Sequence, residues 1–187
     1  MIRGALMRII SGKARGTKLY TLEGKNTRPT LDRVKEPLFS IISTRITDSD
    51  ILDLFAGSGA LGIESLSRGA SNVILCDNSK DAINVINKNL EKTRLKAQVI
   101  NSDYEKCLLN LKQNKFDLIF LDPPYDTDYI EKAIIKILEY DMLKANGLII
   151  AETDNQDKIE EIKKLDIEIR DIRKYGRAIL IFLNRKG

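Results

Sequence analysis

Histidine is absent from the 187-residue chain, and cysteine occurs only twice. Without histidine the sequence offers no Ser-His triad, no histidine general base and no typical zinc site, so no metal is predicted. Cys76 and Cys107 lack metal-ligand spacing, and buried free thiols are the expected state of both. No apolar run approaches the ~20 residues of a membrane span, and the N-terminus lacks a secretory pattern. The sequence therefore predicts a cytoplasmic protein without a metal or a membrane partner.

Charge is distributed unevenly along the chain. Residues 1–45 hold ten Lys/Arg against three Asp/Glu, a net charge of +7, whereas the remainder carries −3. Charge and residue pattern both change near residues 46–50, which divides the chain into an N-terminal extension, 1–45, and a body, 46–187. A basic lobe on a nearly neutral body favours a polyanion partner, and a solvated basic surface is the alternative.

Strands and helices are predicted to alternate through the body. The predicted strands are 51–55, 72–77, 97–100, 116–121, 148–152, 167–173 and 178–183, and the helices are 61–68, 80–93, 104–112, 129–143 and 156–164. Repeated βα units predict an α/β fold with a mainly parallel sheet covered by helices. The short link at 174–177 makes the last two strands an antiparallel hairpin. In the extension, strands at 8–11 and 17–22 should form a basic hairpin, followed by a helix after Arg28-Pro29-Thr30.

A glycine turn follows the first strand of the body, at Asp53-Leu54-Phe55-Ala56-Gly57-Ser58-Gly59. Glycines at such a junction let a ligand approach the backbone closely. With Gly62 the turn also spells G-x-G-x-x-G, so spelling alone leaves a dinucleotide site open. Three acids at successive strand ends argue against a dinucleotide. Asp53 suits an ammonium group, Asp77 suits a ribose and Asp103 suits an adenine amino group. Together they favour a cationic nucleoside, S-adenosylmethionine, over simple helix capping by Asp77 and Asp103.

A second motif, Asp122-Pro123-Pro124-Tyr125, ends the apolar strand at 116–121. Neither proline has an N–H for a sheet ladder, so the backbone must leave the sheet there. The motif displays an acid, a carbonyl and an aromatic ring at the sheet edge where α/β proteins bind ligands. Asp122 and the Pro123 carbonyl can accept N–H groups from an amino group, and Tyr125 can stack on a base. A strand exit with a helix-capping aspartate is the alternative.

The two motifs together resemble class I S-adenosylmethionine-dependent methyltransferases that act on exocyclic amino groups. Arg8-Ile-Ile-Ser-Gly12, Arg28-Pro-Thr-Leu-Asp-Arg-Val-Lys-Glu36 and Leu66-Ser-Arg-Gly-Ala70 resemble a narrower family. That family is the bacterial 16S ribosomal RNA guanine-N2 methyltransferases, ribosomal small subunit methyltransferase D. The likeness runs from Met7, our expected physiological start, to Leu183. It implies a Rossmann-like class I fold with a seven-stranded, mostly parallel sheet, an antiparallel terminal strand and a small N-terminal basic hairpin and helix.

The resemblance also implies roles for individual residues. Catalytic roles fall on Asp122, Pro123 and Tyr125. Cofactor binding is implied for Asp53, Phe55, Ala56, Gly57, Ser58, Gly59, Asp77, Asn78, Asp103, Tyr104 and Thr30, and RNA binding for Arg8, Arg15, Arg28 and Arg33. The expected partner is 16S ribosomal RNA in the small ribosomal subunit or its assembly intermediate, and a monomer is favoured.

The residue type at position 122 bears on the substrate. An ionised carboxylate only accepts hydrogen bonds, which matches guanine's two adjacent donors, N1–H and the N2 amino group. The hypothesis is therefore methylation of a guanine N2 amino group. N6 of adenine in DNA or RNA and the amide of a protein glutamine are the alternatives. A dinucleotide-binding redox protein is disfavoured by Asp53 and by the lack of an obvious acid for hydride transfer. An inactive RNA-binding module is disfavoured by the intact motifs.

Overall fold

Seven strands and six α-helices alternate in a computed structural model that describes residues 7–22, 29–125 and 127–187, with the backbone alone at 29–33. The helices are α1 (Pro29–Ile41), α2 (Ala60–Ser67), α3 (Lys80–Thr93), α4 (Tyr104–Asn110), α5 (Tyr129–Glu139) and α6 (Asp157–Lys163). The strands are β1 (Asp50–Asp53), β2 (Asn72–Asp77), β3 (Gln98–Asn101), β4 (Phe116–Leu121), β5 (Leu143–Thr153), β6 (Glu168–Tyr175) and β7 (Ala178–Asn184). None of the helices within these ranges is long and apolar enough to cross a membrane.

All seven strands form one sheet in the order β3-β2-β1-β4-β5-β7-β6. The pairs among β1 to β5 are parallel, whereas β7 runs antiparallel to both β5 and β6. The predicted Rossmann-like class I fold and the terminal antiparallel hairpin are thereby confirmed. Because β1 to β5 run the same way, their carboxyl ends meet at one edge, where the glycine turn and the Asp-Pro-Pro-Tyr motif both lie.

Both faces of the sheet are buried, and because successive side chains of a strand point to opposite faces, neighbouring residues enter different apolar clusters. On β4, Leu118 and Phe120 belong to one apolar cluster, which also holds side chains of α1, α2 and α3. Ile119 and Leu121 belong to the opposite cluster, with side chains of α4, α5 and α6. Burying one such side chain stabilises the fold by roughly 1.5–3 kcal/mol, so the two clusters fix the strand ends that carry the site. The predicted buried free thiols of Cys76 and Cys107 are confirmed.

The N-terminal extension lies against α2 through close backbone contact. Gly12 has a φ of +83°, and a Cβ built on it would lie 1.8 Å from the Ser67 carbonyl oxygen. The Lys13 N–H donates to that carbonyl at 2.8 Å, and the Ala14 N–H donates to the Ser67 hydroxyl at 2.9 Å. Glycine is required at position 12 because a side chain there would push the extension off α2.

A buried ion cluster around Glu64 of α2 holds the same contact. Its carboxylate accepts the Ile10 N–H at 2.8 Å and the Ser11 N–H at 3.1 Å. The Lys35 ammonium of α1 lies 3.4 Å from Glu64, and both side chains are fully buried. Arg68 adds a fourth contact at 2.7 Å. Removing one partner would leave an uncompensated buried charge, which typically costs about 3–5 kcal/mol.

The division of the chain into an extension, 1–45, and a body, 46–187, stays a prediction.

Three sequence-based positions of strands and helices are wrong. The expected strands at 8–11 and 17–22 are reduced to one antiparallel bridge, Arg8 to Lys18, in the described part of the extension. Three N–H groups, those of Ile9, Gly16 and Leu19, donate across the hairpin. Five others donate to α2 or α3, so the ladder stays short. The predicted helix 129–143 ends at Glu139, because Asp141 turns left-handed at a φ of +53° and the Met142 N–H closes on the Ile137 carbonyl. Apolar spacing continues past this stop, so periodicity alone missed it, and β5 begins at Leu143 rather than at 148.

Candidate active site

The glycine turn between β1 and α2 is fixed by backbone hydrogen bonds to its neighbours. The Ala56 N–H donates to the Cys76 carbonyl of β2 at 2.9 Å, and the Gly59 N–H donates to the Ala56 carbonyl at 2.7 Å. Gly57 and Gly59 have φ values of +55° and +78°, a region that glycine adopts without strain. The turn is therefore a rigid platform at the carboxyl edge of the sheet.

Asp77 at the end of β2 binds this turn directly. Its carboxylate accepts the Gly57 N–H at 2.8 Å and the Ser79 N–H at 2.9 Å. The cap of α3 is Ser79, whose hydroxyl accepts the Ala82 N–H at 3.3 Å, so Asp77 is not the capping residue considered in the sequence analysis. Asp77 is half-buried and Asn78 beside it is exposed, which leaves the carboxylate at the surface of the platform.

Asp53 at the end of β1 lies beneath the turn and is 2% exposed. Its carboxylate accepts the Gly62 N–H of α2 at 3.1 Å. Burial raises the pKa of the Asp53 carboxyl from its usual 3.8 to about 7; the Gly62 N–H opposes this effect and the charge of Asp77 adds to it. A positive charge bound above the turn would lower this pKa again, since it favours the ionised carboxylate.

Asp103 and three aromatic rings occupy the next part of the edge. Asp103 caps α4, accepting the Lys106 N–H at 2.9 Å, and that hydrogen bond holds the pKa of its carboxyl below the usual value. The capping alternative is therefore correct for Asp103, although its side chain stays accessible. Phe55 lies 5.4 Å from Tyr104 and stacks on Tyr129 at 6.2 Å between ring centroids. The flat faces of these rings form an apolar surface, an aromatic wall, at this edge of the sheet.

The Asp-Pro-Pro-Tyr motif leaves the sheet at the end of β4, between β1 and β5. The Leu54 N–H donates to the Phe120 carbonyl at 3.2 Å, so this exit is next to the glycine turn. Asp122 is half-buried, Pro123 is buried and Tyr125 is half-buried. The Tyr125 hydroxyl lies 3.2 Å from a carboxylate oxygen of Glu152 on β5. Glu152 is 6% exposed, and it anchors the ring that the motif displays.

The predicted site residues fall into three groups by position. Asp53, Asp77, Asp103 and Asp122 follow neighbouring strands and meet at one edge. Arg8 and Arg15 are exposed on the extension. Arg28 lies outside the described residues, as do the side chains of Thr30 and Arg33, whose backbone belongs to α1.

Three polar residues that support the site were missed from the sequence. Glu152 ends an apolar strand, the same signal that identified Asp53, and could have been found. Asn89 lies on the buried face of α3 with its side chain fully buried, so a lone polar residue at an apolar helical position was its signal. Glu64 gave no signal, because a glutamate on a short helix is normally solvated.

The described residues fit an S-adenosyl group. A Cβ built on Gly57 would meet no heavy atom within 4 Å among them, so a ligand can approach the turn there. Asp77 beside the turn matches a ribose, and the accessible Asp103 matches an amino group. The aromatic rings at this edge match the flat adenine. This arrangement of acids and rings suits a cationic nucleoside.

Comparisons with known proteins agree with this geometry. The family described as Conserved hypothetical protein 95 matches residues 7–184. Ribosomal RNA small subunit methyltransferase D of Haemophilus influenzae is 44% identical over 154 residues, 79% of each chain. The YlbH protein of Bacillus subtilis is 42% identical over 185 residues, 97% of this chain and 100% of that protein. The solved structure of the Escherichia coli protein yhhF is 30% identical, with a TM-score of 0.84 over 98% and 99% of the chains.

The fold, the glycine turn and the Asp-Pro-Pro-Tyr exit define a class I methyltransferase, a class whose cofactor is S-adenosylmethionine. Within that class the chain belongs to the Conserved hypothetical protein 95 family, the group that contains ribosomal RNA small subunit methyltransferase D.

Proposed function

We propose that this chain methylates the exocyclic N2 amino group of a guanine in 16S ribosomal RNA. The observation that carries the proposal is the adjacency of Asp122 to the glycine turn. The strand exit that bears Asp122 lies beside β1, where the Leu54 N–H meets the Phe120 carbonyl. This adjacency supports a role in which the Asp122 carboxylate accepts a hydrogen bond from the amino group beside the methyl donor.

The cofactor is proposed to bind over β1, β2 and β3. Asp77 would accept the ribose hydroxyls with Asn78 beside it, and Asp103 with Tyr104 would hold the adenine. The turn from Phe55 through Ala56, Gly57 and Ser58 to Gly59 would carry the methionine part, above Asp53, and Thr30 would cover it. S-adenosylmethionine supplies, when bound, a methyl group activated by a positively charged sulfur.

The chain's own residues would make the base amino group reactive. Its lone pair is delocalised into the π system of the ring, and acceptors for its two N–H bonds favour a pyramidal nitrogen on which that pair is localised and aimed at the methyl group. Asp122 and the Pro123 carbonyl are proposed to accept these N–H groups. Tyr125 would fix the plane of the base by stacking, and Glu152 holds Tyr125 from behind at 3.2 Å. The negative charge of Asp122 would also stabilise the positive charge that develops on the nitrogen. No histidine base is needed, because the product nitrogen loses its proton readily.

RNA as the substrate rests on charge and on the relatives. Arg8 and Arg15 are exposed on the N-terminal extension, and with Arg28 and Arg33 they are proposed to bind phosphates. The curated relative from Haemophilus influenzae is named a ribosomal RNA small subunit methyltransferase. A target base must leave its stack to reach the pocket. The small ribosomal subunit or its assembly intermediate is the proposed partner, while a monomeric state and a cytoplasmic location stay predictions.

Mass mapping of 16S ribosomal RNA from cells with and without this gene tests the proposal. One guanine is expected to lose a single N2 methyl group when the gene is removed. Loss of a methyl group from an adenine instead would favour the N6 alternative, and an unchanged map would refute the proposal. Calorimetry with S-adenosylmethionine and with NAD separates a methyltransferase from a redox protein.

A further inference from the structure

The outer face of the N-terminal hairpin combines basic side chains with an exposed aromatic ring. Met7, Ile9 and Leu19 are buried, whereas their neighbours Arg8 and Lys18 point outward. The antiparallel bridge places Arg8 beside Lys18. Tyr20 follows Lys18 by two residues and therefore lies on the same face, with 49% of its surface exposed.

Tyr20 is held rigidly although its ring faces water. The buried side chain of Asn89 accepts the Tyr20 N–H at 2.7 Å and donates to the Tyr20 carbonyl at 3.0 Å. The same amide donates to the Ser58 carbonyl in the glycine turn at 2.9 Å. One buried asparagine therefore fixes the backbone of Tyr20 relative to the platform for the cofactor.

The surroundings of the ring are positively charged. The Lys92 ammonium of α3 lies over the ring at 4.3 Å from its centroid. Lys88 and Arg94 are also exposed on or just after α3, with Glu91 as the acid among them. An exposed ring among cations is the combination with which proteins bind single-stranded nucleic acid, because bases stack on the ring while lysines and arginines contact phosphates.

We infer that Tyr20, with Arg8, Lys18 and Lys92 around it, binds an unpaired RNA segment that flanks the methylated guanine, and that one base stacks on the Tyr20 ring. The inference rests on the proposed function and adds a second contact site beyond the Asp-Pro-Pro-Tyr pocket. Lys92 leaves the ring when the base arrives and contacts a phosphate of the same segment. A protein partner is disfavoured because cations outnumber acids among the exposed described residues of the hairpin and of the end of α3.

The chain offers a matched control on another surface. Tyr140 and Lys136 form a similar pair at the end of α5, with the ammonium 5.5 Å from the ring centroid. Lys136 also forms an ion pair with Glu139 at 2.7 Å, so this second pair is locally neutralised. Replacing Tyr140 should therefore leave RNA affinity unchanged.

Fluorescence anisotropy tests the inference with a labelled 16S transcript that contains the mapped guanine, at one salt concentration for the Tyr20 variants and over a salt series for Lys92→Ala. Tyr20→Ala is expected to weaken binding roughly 5- to 100-fold, and Tyr20→Phe by less than about twofold, because stacking needs only the ring. Lys92→Ala should reduce the slope of log affinity against log salt by about one. The KM for RNA should rise in Tyr20→Ala while kcat and S-adenosylmethionine affinity stay unchanged. The Asn89 contacts are to the backbone of Tyr20, so Tyr20→Ala should fold normally, and its melting temperature checks this.

Equal RNA affinity of Tyr20→Ala and the native protein would overturn the inference, and so would an equal loss in Tyr140→Ala. Neither result would touch the proposed function, provided that the guanine is still methylated. Failure of the native protein to methylate any 16S guanine would instead refute the proposed function.

Discussion

Replacing Asp53 with asparagine is expected to stabilise the folded chain at neutral and alkaline pH while weakening S-adenosylmethionine binding. Asp53 is 2% exposed and its carboxylate accepts the Gly62 N–H. An asparagine of the same shape keeps an oxygen for that hydrogen bond and removes a charge from a buried position. The substitution therefore isolates the cost of holding a carboxylate beneath the glycine turn.

The magnitude follows from the raised pKa of Asp53, about 7 in the fold against the usual 3.8. Below about pH 4 the folded and unfolded states both hold the proton, so the group has no effect on stability. Between about pH 4 and 7 the unfolded state releases its proton first, and stability falls as pH rises. Above about pH 7 the cost is constant, at roughly 4 kcal/mol as an upper limit. Asparagine removes this cost.

Urea unfolding of the native protein and Asp53→Asn at about pH 5.5 and about pH 8 measures the effect. The stability gain of the variant should be roughly 2 kcal/mol larger at the higher pH. Asp154→Asn, on an exposed residue, controls for general effects of removing a carboxylate. An equal gain at both pH values would show that Asp53 is ionised throughout and that the argument from burial is wrong.

Four further predictions address the reaction and RNA binding. Asp122→Ala should reduce methyl transfer by at least about 100-fold with S-adenosylmethionine affinity retained in calorimetry; loss of cofactor binding instead would mean that its role is misassigned. Tyr125→Phe and Glu152→Ala should each lower kcat roughly 10- to 100-fold, and the double variant should lose no more than the larger single loss; additive losses would exclude a shared role. Neutralising Arg8 and Arg15 together should lower the slope of log RNA affinity against log salt by about two, and an unchanged slope would leave them as solvated surface charges. In the native protein, cofactor affinity should rise between about pH 6 and about pH 8, because the ammonium group of S-adenosylmethionine favours ionised Asp53; flat titrations across that range would separate the two groups.

The elements that carry the site were predictable because their signals are local. An apolar run with an acid at its end identified β1, β2 and β4 without tertiary information, and glycines follow the acid of β1 and prolines that of β4. The stop of α5 at Glu139 was missed, since the apolar spacing runs on and a left-handed Asp141 has no strong sequence signal. Site residues such as Asp122 were identified from motif order, and their roles stay proposals.

Features that depend on tertiary contacts could not be predicted from the sequence. The Lys35–Glu64 pair was missed because charged residues on helices are normally solvated, and only the docking of the extension buries both. The raised pKa of Asp53 likewise comes from burial under α2 rather than from its neighbours in sequence. The hairpin at 8–22 was predicted as two strands, but five of its N–H groups donate to α2 or to Asn89 of α3 and only some donate across the hairpin.

The place of β7 between β5 and β6 determines the order in which the sheet can close. Ribosomes deliver β5 and β6 before β7, so the apolar edge of β5 stays unpaired until the later strand has emerged. The β6–β7 hairpin is local and can form within microseconds, after which it docks as a unit. Glu152, the anchor of Tyr125, pairs with Leu180 of β7. A nascent chain that already has the glycine turn would therefore lack the support of the Tyr125 ring until the hairpin docks.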